Sequence, residues 1–257
     1  MGGSTVHREA QSVNITVPSG RAFFLIHGYT GSPTDFNGLP KFLSNRFNAS
    51  VQIPRLIGHG TELKDLDALE TRHFVSQVEA EFRILYKQGK EIVLGGHSFG
   101  GQLALYLAGK YPVAGIFTTG TPYVLRMPLG IPFVTSILQL KKSWTKYFPQ
   151  SEIFARANAS AFYYSSLPSY GLRLVNDLNH MITPLLPHIR APILTIHSEN
   201  DIIADRRSSR ALHALVGSHI KEDLVLRASS HGIFYSTDRE AIPERIASIL
   251  ERNTVFS

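Results

Sequence analysis

Apolar residues fall along this chain in two rhythms, and the alternation between them predicts the architecture. Arg21–Ile26 runs through Ala22, Phe23, Phe24 and Leu25 without a polar break, as a strand covered on both faces does. Ser12–Pro18 instead alternates Val13, Ile15 and Val17 with polar neighbours, the pattern of an edge strand. Thr34 or Asp35 is placed to cap a helix reaching about Arg46, and Ser50–Pro54 reads as a further strand. Between His73 and Gln88 the apolar positions Phe74, Val75, Val78, Phe82, Leu85 and Tyr86 follow helical spacing. A short apolar run from Glu91 to Leu94 then turns through glycines at a serine and leaves as a helix former. Val113–Thr118 is one more strand.

Strand and helix thus alternate from Phe23 to Thr119, which predicts an α/β fold with a mostly parallel central sheet flanked by helices. The alternation resumes with a strand at Pro192–His197 and a helix near Ser208–Val216. A strand near Asp223–Arg227 and a helix near Glu240–Arg252 complete it. From about Thr121 to Arg190 it breaks. That stretch is rich in aromatics and proline, among them Tyr123, Phe133, Trp144, Phe154 and Tyr163, and carries no clear strand signal. It is expected to be an insertion of short helices over the carboxyl edge of the sheet. The expected organisation is a core of residues 1–120 and 191–257 with a helical cap at 121–190.

Composition narrows the chemistry. With 257 residues and 43% hydrophobic content the chain can bury one large core. It has no apolar run long enough to span a membrane, and Met1–Gly20 has no apolar signal segment, which together point to a cytoplasmic protein. The three Asn-x-Ser/Thr sequons at Asn14, Asn48 and Asn158 then carry no meaning. Without cysteine there is no disulfide, thiol nucleophile or thiolate metal site. The net charge of +6 raises nucleic acid as a partner. The basic residues are spread, however, and Lys141-Lys142 and Arg206-Arg207 are too short for polybasic tracts, so solvated helix faces account for them.

Gly96-x-Ser98-x-Gly100 is a G-x-S-x-G pattern in the strand–turn–helix setting of a nucleophile elbow. The pattern alone is weak, since it arises by chance in roughly one in ten chains of this length at ~7% Gly and Ser. Its setting and its partners carry the argument. A serine hydroxyl needs a base, and the base an orienting acid, in the chain order Ser, Asp or Glu, His. The histidines after Ser98 are His180, His188, His197, His213, His219 and His231. Only His231 lies in a loop just past the final strand, at its carboxyl end. For the acid, Asp201 and Asp205 both follow the strand ending at His197. Asp201 precedes the apolar pair Ile202-Ile203, which would anchor its loop, whereas Asp205 stands where a helix N-cap belongs. Asp201 is therefore the expected acid.

With His27-Gly28-Tyr29-Thr30-Gly31-Ser32-Pro33, Gly58-His59-Gly60, Gly96-His97-Ser98-Phe99-Gly100-Gly101, Asp201-Ile202-Ile203 and Ser230-His231-Gly232 on the page, the chain resembles the α/β-hydrolase superfamily over nearly its whole length. Within it, the likeness is to bacterial carboxylesterases and monoacylglycerol lipases with a small helical cap. The resemblance implies an oxyanion hole from the backbone amides of Tyr29 and Phe99, as the general logic of the elbow also does. His27 and His59 are expected to brace loops, and His97 is the variable position of the elbow. The expected function is a serine ester hydrolase working through an acyl-enzyme, with no metal or organic cofactor. Its substrate is expected to be an ester with an apolar acyl chain, because the insertion is aromatic and aliphatic rather than charged. The same triad on thioesters, amides or carbon–carbon bonds, or a non-catalytic ligand-binding protein on this fold, are the competing readings.

Overall fold

The computed structural model describes residues 5–126, 143–146, 149–253 and 255–256. Phe133 lies outside them, as does the side chain of Trp144. The centre is a seven-stranded sheet of β1 (Val13–Ile15), β2 (Arg21–Ile26), β3 (Ser50–Ile53), β4 (Glu91–His97), β5 (Gly115–Thr119), β8 (Ile193–Ser198) and β9 (Lys221–Leu226), in the order β1-β3-β2-β4-β5-β8-β9. Only β1 runs antiparallel, pairing Val13 with Ile53. All other neighbours are parallel.

The unbroken apolar run of β2 is explained by what covers it. Ala22, Phe24 and Ile26 point to one face, where they join a core with α2 (Thr71–Tyr86) and α3 (Phe99–Lys110). Phe23 and Leu25 point to the other, packing with α1 (Leu39–Phe47) and α7 (Ile242–Arg252). Successive side chains alternate between faces, so a strand with helices on both sides has no polar position to offer. The pairing register aligns Ile26 with Gly96 and His97 with Thr119. It also aligns Thr119 with Ile196 and Ser198 with Leu226. The carboxyl ends of β2, β4, β5, β8 and β9 therefore open on one edge, where ligands bind in sheets of this kind.

Two local expectations are corrected. No single helix runs from Thr34 or Asp35. Ser32 caps a 3-10 turn at Pro33–Phe36, accepting from the Thr34 N–H, and α1 begins only at Leu39 behind Gly38. The Asp35 carboxylate is engaged elsewhere, as described below. Nor is the stretch 121–190 without strands, because β6 (Ser143–Thr145) pairs antiparallel with β7 (Ser166–Pro168). Three residues are too few for alternation to register as a pattern. Within the same stretch α4 (Gln150–Asn158) is short, while α5 (Gly171–Ile182) lies against α3 and buries Leu174, Leu178 and Ile182 in the shared core. The Gln102 amide donates to Val175 O and Asn179 Oδ1, fastening α5 to α3. Helix α6 (Arg207–Leu215) lies between β8 and β9. Among the described residues no helix is long and apolar enough to cross a membrane.

Candidate active site

Ser98 stands between β4 and α3 with φ 54° and ψ −121°, a conformation rare for any residue with a side chain. Its backbone is held there by an N–H bond to Thr119 O at 2.8 Å. The glycines on either side are forced by space. A Cβ on Gly96 would lie 2.3 Å from Gly100 O, and one on Gly100 would lie 2.0 Å from Ile26 O at the end of β2. The sharp turn therefore closes only with both side chains absent, and it projects the Ser98 hydroxyl from the carboxyl edge.

The loops after β8 and β9 bring two partners to it. His231 Nε2 lies 3.0 Å from Ser98 Oγ, and His231 Nδ1 lies 2.7 Å from Asp201 Oδ2. The other carboxylate oxygen of Asp201 accepts the N–H groups of Ile203 at 2.8 Å and Ala204 at 2.9 Å. Asp201 is fully buried. Burial would raise its pKa, but the facing His231 and the two amides outweigh that and hold the carboxylate below its ordinary value. For His231 burial favours the neutral ring, yet the charge and hydrogen bond of Asp201 prevail and raise the pKa above 6.5. Asp205 is elsewhere. Its Oδ1 accepts the Arg207 N–H at 2.8 Å and its Oδ2 pairs with the Arg207 guanidinium at 2.9 Å, so it serves the start of α6.

Tyr29 and Phe99, the two expected amide donors, line the same cavity as Ser98. Phe99 opens α3, so its N–H has no carbonyl one turn behind it. The Tyr29 N–H, in the loop after β2, has no hydrogen-bond partner among the described residues. The tight bend of that loop is supported by Asp35 Oδ2, which accepts the Gly28 N–H at 3.1 Å.

A cavity of about 390 Å³ adjoins Ser98 and His231. Its apolar lining includes Phe99, Leu125, Leu167, Leu172 and Val175. The lining also carries Asp35, Lys146, Glu152 and Arg156, which departs from the expectation of an uncharged insertion. Arg156 pairs with Glu152 at 2.8 Å and lies 3.7 Å from Asp35, all three almost wholly buried. Its guanidinium also sits over the Tyr235 ring, 4.5 Å from the centroid. Loss of solvation pushes the Lys146 ammonium down to about 7. Glu152 Oε2 accepts from Ser230 Oγ, which ties α4 to the residue before His231.

Several of these contributors escape sequence reasoning. Asp35, Lys146 and Glu152 lie far apart in the chain, and an i,i+4 pair such as Glu152–Arg156 reads as surface charge. His97 is more than a spacer, because its ring lies 5.1 Å from that of His231 while its Nδ1 meets Thr119 Oγ1 at 3.0 Å. Burial, and then the charge of His231, pull its pKa down to about 4, so it stands as a neutral ring. His27 and His59 brace loops: His27 Nε2 accepts the Leu56 N–H at 3.0 Å and His59 Nε2 the Thr30 N–H at 2.9 Å. Among the described residues no group of His, Asp and Glu is arranged to hold a metal ion.

Known proteins share this arrangement of chain. A thermostable monoacylglycerol lipase from Bacillus sp. (strain H-257) is 26% identical over 223 residues, 86% of each chain. A carboxylesterase from Bacillus subtilis (strain 168) is 21% identical over 90% of this chain and 93% of its own. Among solved structures, one from work on the metagenome-derived lipolytic enzymes LipS and LipT superposes with a TM-score of 0.82. It is 23% identical and covers 96% of this chain and 100% of its own. The monoacylglycerol lipase of Paleococcus ferrophilus gives a TM-score of 0.75 at 16% identity over 95% and 98%. The model of the alpha/beta hydrolase family matches residues 23–244, and the chain belongs to that family.

Proposed function

We propose that this protein is a serine carboxylic-ester hydrolase, a carboxylesterase or monoacylglycerol-lipase-like enzyme acting through an acyl-enzyme. The observation that carries the reading is the continuous chain from Asp201 through His231 to Ser98 Oγ, at 2.7 and 3.0 Å, at the mouth of a largely apolar cavity. His231 takes the Ser98 proton as Oγ attacks the ester carbonyl, and Asp201 keeps the ring in the Nδ1–H tautomer and steadies the imidazolium. The Tyr29 and Phe99 amides stabilise the oxyanion. Collapse expels the alcohol with the proton from His231. Water then repeats the sequence on the acyl-enzyme. The stretch 121–190 serves as the cap, with Leu125, Leu167, Leu172 and Val175 lining the acyl path while Lys146, Glu152 and Arg156 face a polar alcohol. The names of the Bacillus lipase and esterase agree with this class of substrate. A screen of p-nitrophenyl esters of graded chain length tests the reading, and failure to hydrolyse any of them would overturn it.

The raised pKa of His231 fixes the pH dependence. The base works only when neutral, so activity is lost as pH falls through a value above the ordinary 6.5. The ionisation belongs to the coupled Asp201–His231 pair. A kcat/KM profile should show one acid limb in that region. A limb near ~4, where carboxylates titrate, would mean a different base.

Acyl selectivity should follow the apolar lining. Leu172→Trp puts an indole in place of an isobutyl group in the cavity that Val175 also lines. Long-chain esters are expected to lose about tenfold or more in kcat/KM relative to acetate. An unchanged chain-length profile would place the acyl group elsewhere.

A further inference from the structure

Among the described residues with positive φ, Thr30, at φ 64°, is the one that is β-branched, and it directly follows the proposed oxyanion donor Tyr29. Left-handed backbone is costly for a β-branched side chain, of order 1–3 kcal/mol, and persists only where the surroundings over-determine it. Here every polar group of Thr30 is engaged. Its N–H donates to His59 Nε2 at 2.9 Å, and its hydroxyl donates to Tyr29 O at 2.5 Å. Its carbonyl accepts from the Tyr164 N–H at 2.9 Å and from Lys146 Nζ at 3.3 Å. Thr30 and His59 are both fully buried, so no water replaces a lost partner at low cost.

The tautomer of His59 is set by the chain itself. Nδ1 lies 3.0 Å from Ile57 O, which can only accept, so Nδ1 carries the proton and Nε2 is free to receive the Thr30 N–H. Gly58 and Gly60, both at φ 73°, let the loop fold tightly enough to turn the ring inward. The insertion secures the same pair of loops, since the Tyr164 hydroxyl donates to Gly58 O and accepts the Thr61 N–H, each at 3.0 Å.

We propose that His59 is a positioning residue for the oxyanion hole: its Nε2 holds Thr30 in the left-handed conformation that aims the Tyr29 N–H at the carbonyl above Ser98. This rests on the ester-hydrolase reading of the site. It makes His59 part of the catalytic geometry although it touches no reacting atom, and it gives the insertion a second task through Tyr164 and Lys146.

The test separates the two nitrogens of the ring. In His59→Gln the side-chain oxygen falls near the Nε2 position and can still accept the Thr30 N–H. In His59→Asn the amide falls near Nδ1, keeping the Ile57 bond and losing Thr30. With active sites counted by phosphonate titration, kcat for p-nitrophenyl butyrate should fall about 10- to 100-fold in His59→Asn with KM little changed. His59→Gln should retain most of it. Thr30→Gly added to His59→Asn should recover turnover, because glycine adopts this backbone without help. Equal losses in the two His59 variants, or no recovery in the double variant, would overturn the proposal. On the unaltered protein, histidine 15N spectra should show His59 with Nδ1 protonated and Nε2 bare, and an Nε2–H form would overturn it with no variant needed. These spectra do not depend on turnover, so a protein that hydrolyses no ester sinks the ester-hydrolase reading and leaves the tautomer still to be read.

Discussion

Ser98→Ala is expected to remove essentially all ester hydrolysis, a loss of about 10⁴- to 10⁶-fold in kcat. Without Oγ no acyl-enzyme forms, and what remains is the contribution of the amides and the cavity to attack by water. An organophosphonate should add once per chain to the unaltered protein, its phosphorus bonding to Ser98 Oγ as the leaving group departs and His231 receives the proton. Ser98→Ala should take up none. Labelling that persists, or turnover that survives, would end the serine mechanism. The same residue offers a check on strain. Because Ser98 is held at φ 54° and ψ −121° by its N–H bond to Thr119 O, Ser98→Gly should be inactive yet melt above the natural protein. The relief is of order 1 kcal/mol. A lower melting temperature would mean that the hydroxyl's contacts outweigh the backbone strain.

The parts legible in the sequence are those where one local constraint decides. Gly96 and Gly100 are legible because a strand that turns at once into a helix at a serine sets their spacing, and in the fold a Cβ on Gly96 would overlap the backbone of α3 and one on Gly100 the end of β2. The β2 run is legible because burial on both faces leaves no polar position in Ala22–Ile26. The place of His231 beside Ser98 is legible from its position just after a strand. Other features depend on tertiary partners and leave no local trace. Asp35 looks like a helix cap, but its carboxylate is drawn to the Gly28 N–H and to Arg156, a residue 121 positions away that only the fold supplies. The charged lining of the cavity is assembled from three separate segments, so composition misreads it as apolar. The β6–β7 pair is too short for a periodic signal, and α5 shows its allegiance to α3 only through contacts such as Gln102 with Asn179. The role of Thr30 shows only in its backbone angle.

Asp201→Asn is expected to lower turnover by about 10⁴-fold, while Asp205→Asn keeps most activity. The surroundings of Asp201 explain why so small a change is so damaging. Its Oδ1 accepts two backbone N–H groups, from Ile203 and Ala204. In an asparagine only the oxygen can satisfy them, so the NH₂ group must turn to His231. That group donates, and it forces Nδ1 of His231 to accept. The ring proton then moves to Nε2, 3.0 Å from Ser98 Oγ, where a base needs a lone pair. The variant therefore holds the wrong tautomer in nearly unchanged geometry, and its melting temperature should move little. At Asp205 the chemistry differs. The carboxylate accepts the Arg207 N–H at the start of α6, and asparagine does the same nearly as well. Asp205→Ala should cost about 1 kcal/mol of stability with turnover retained. Turnover and melting temperature measured together on the three variants decide the matter. An active Asp201→Asn enzyme beside an inactive Asp205→Asn would assign the acid to Asp205, and would require a rearrangement of the loop after β8 that brings Asp205 to His231.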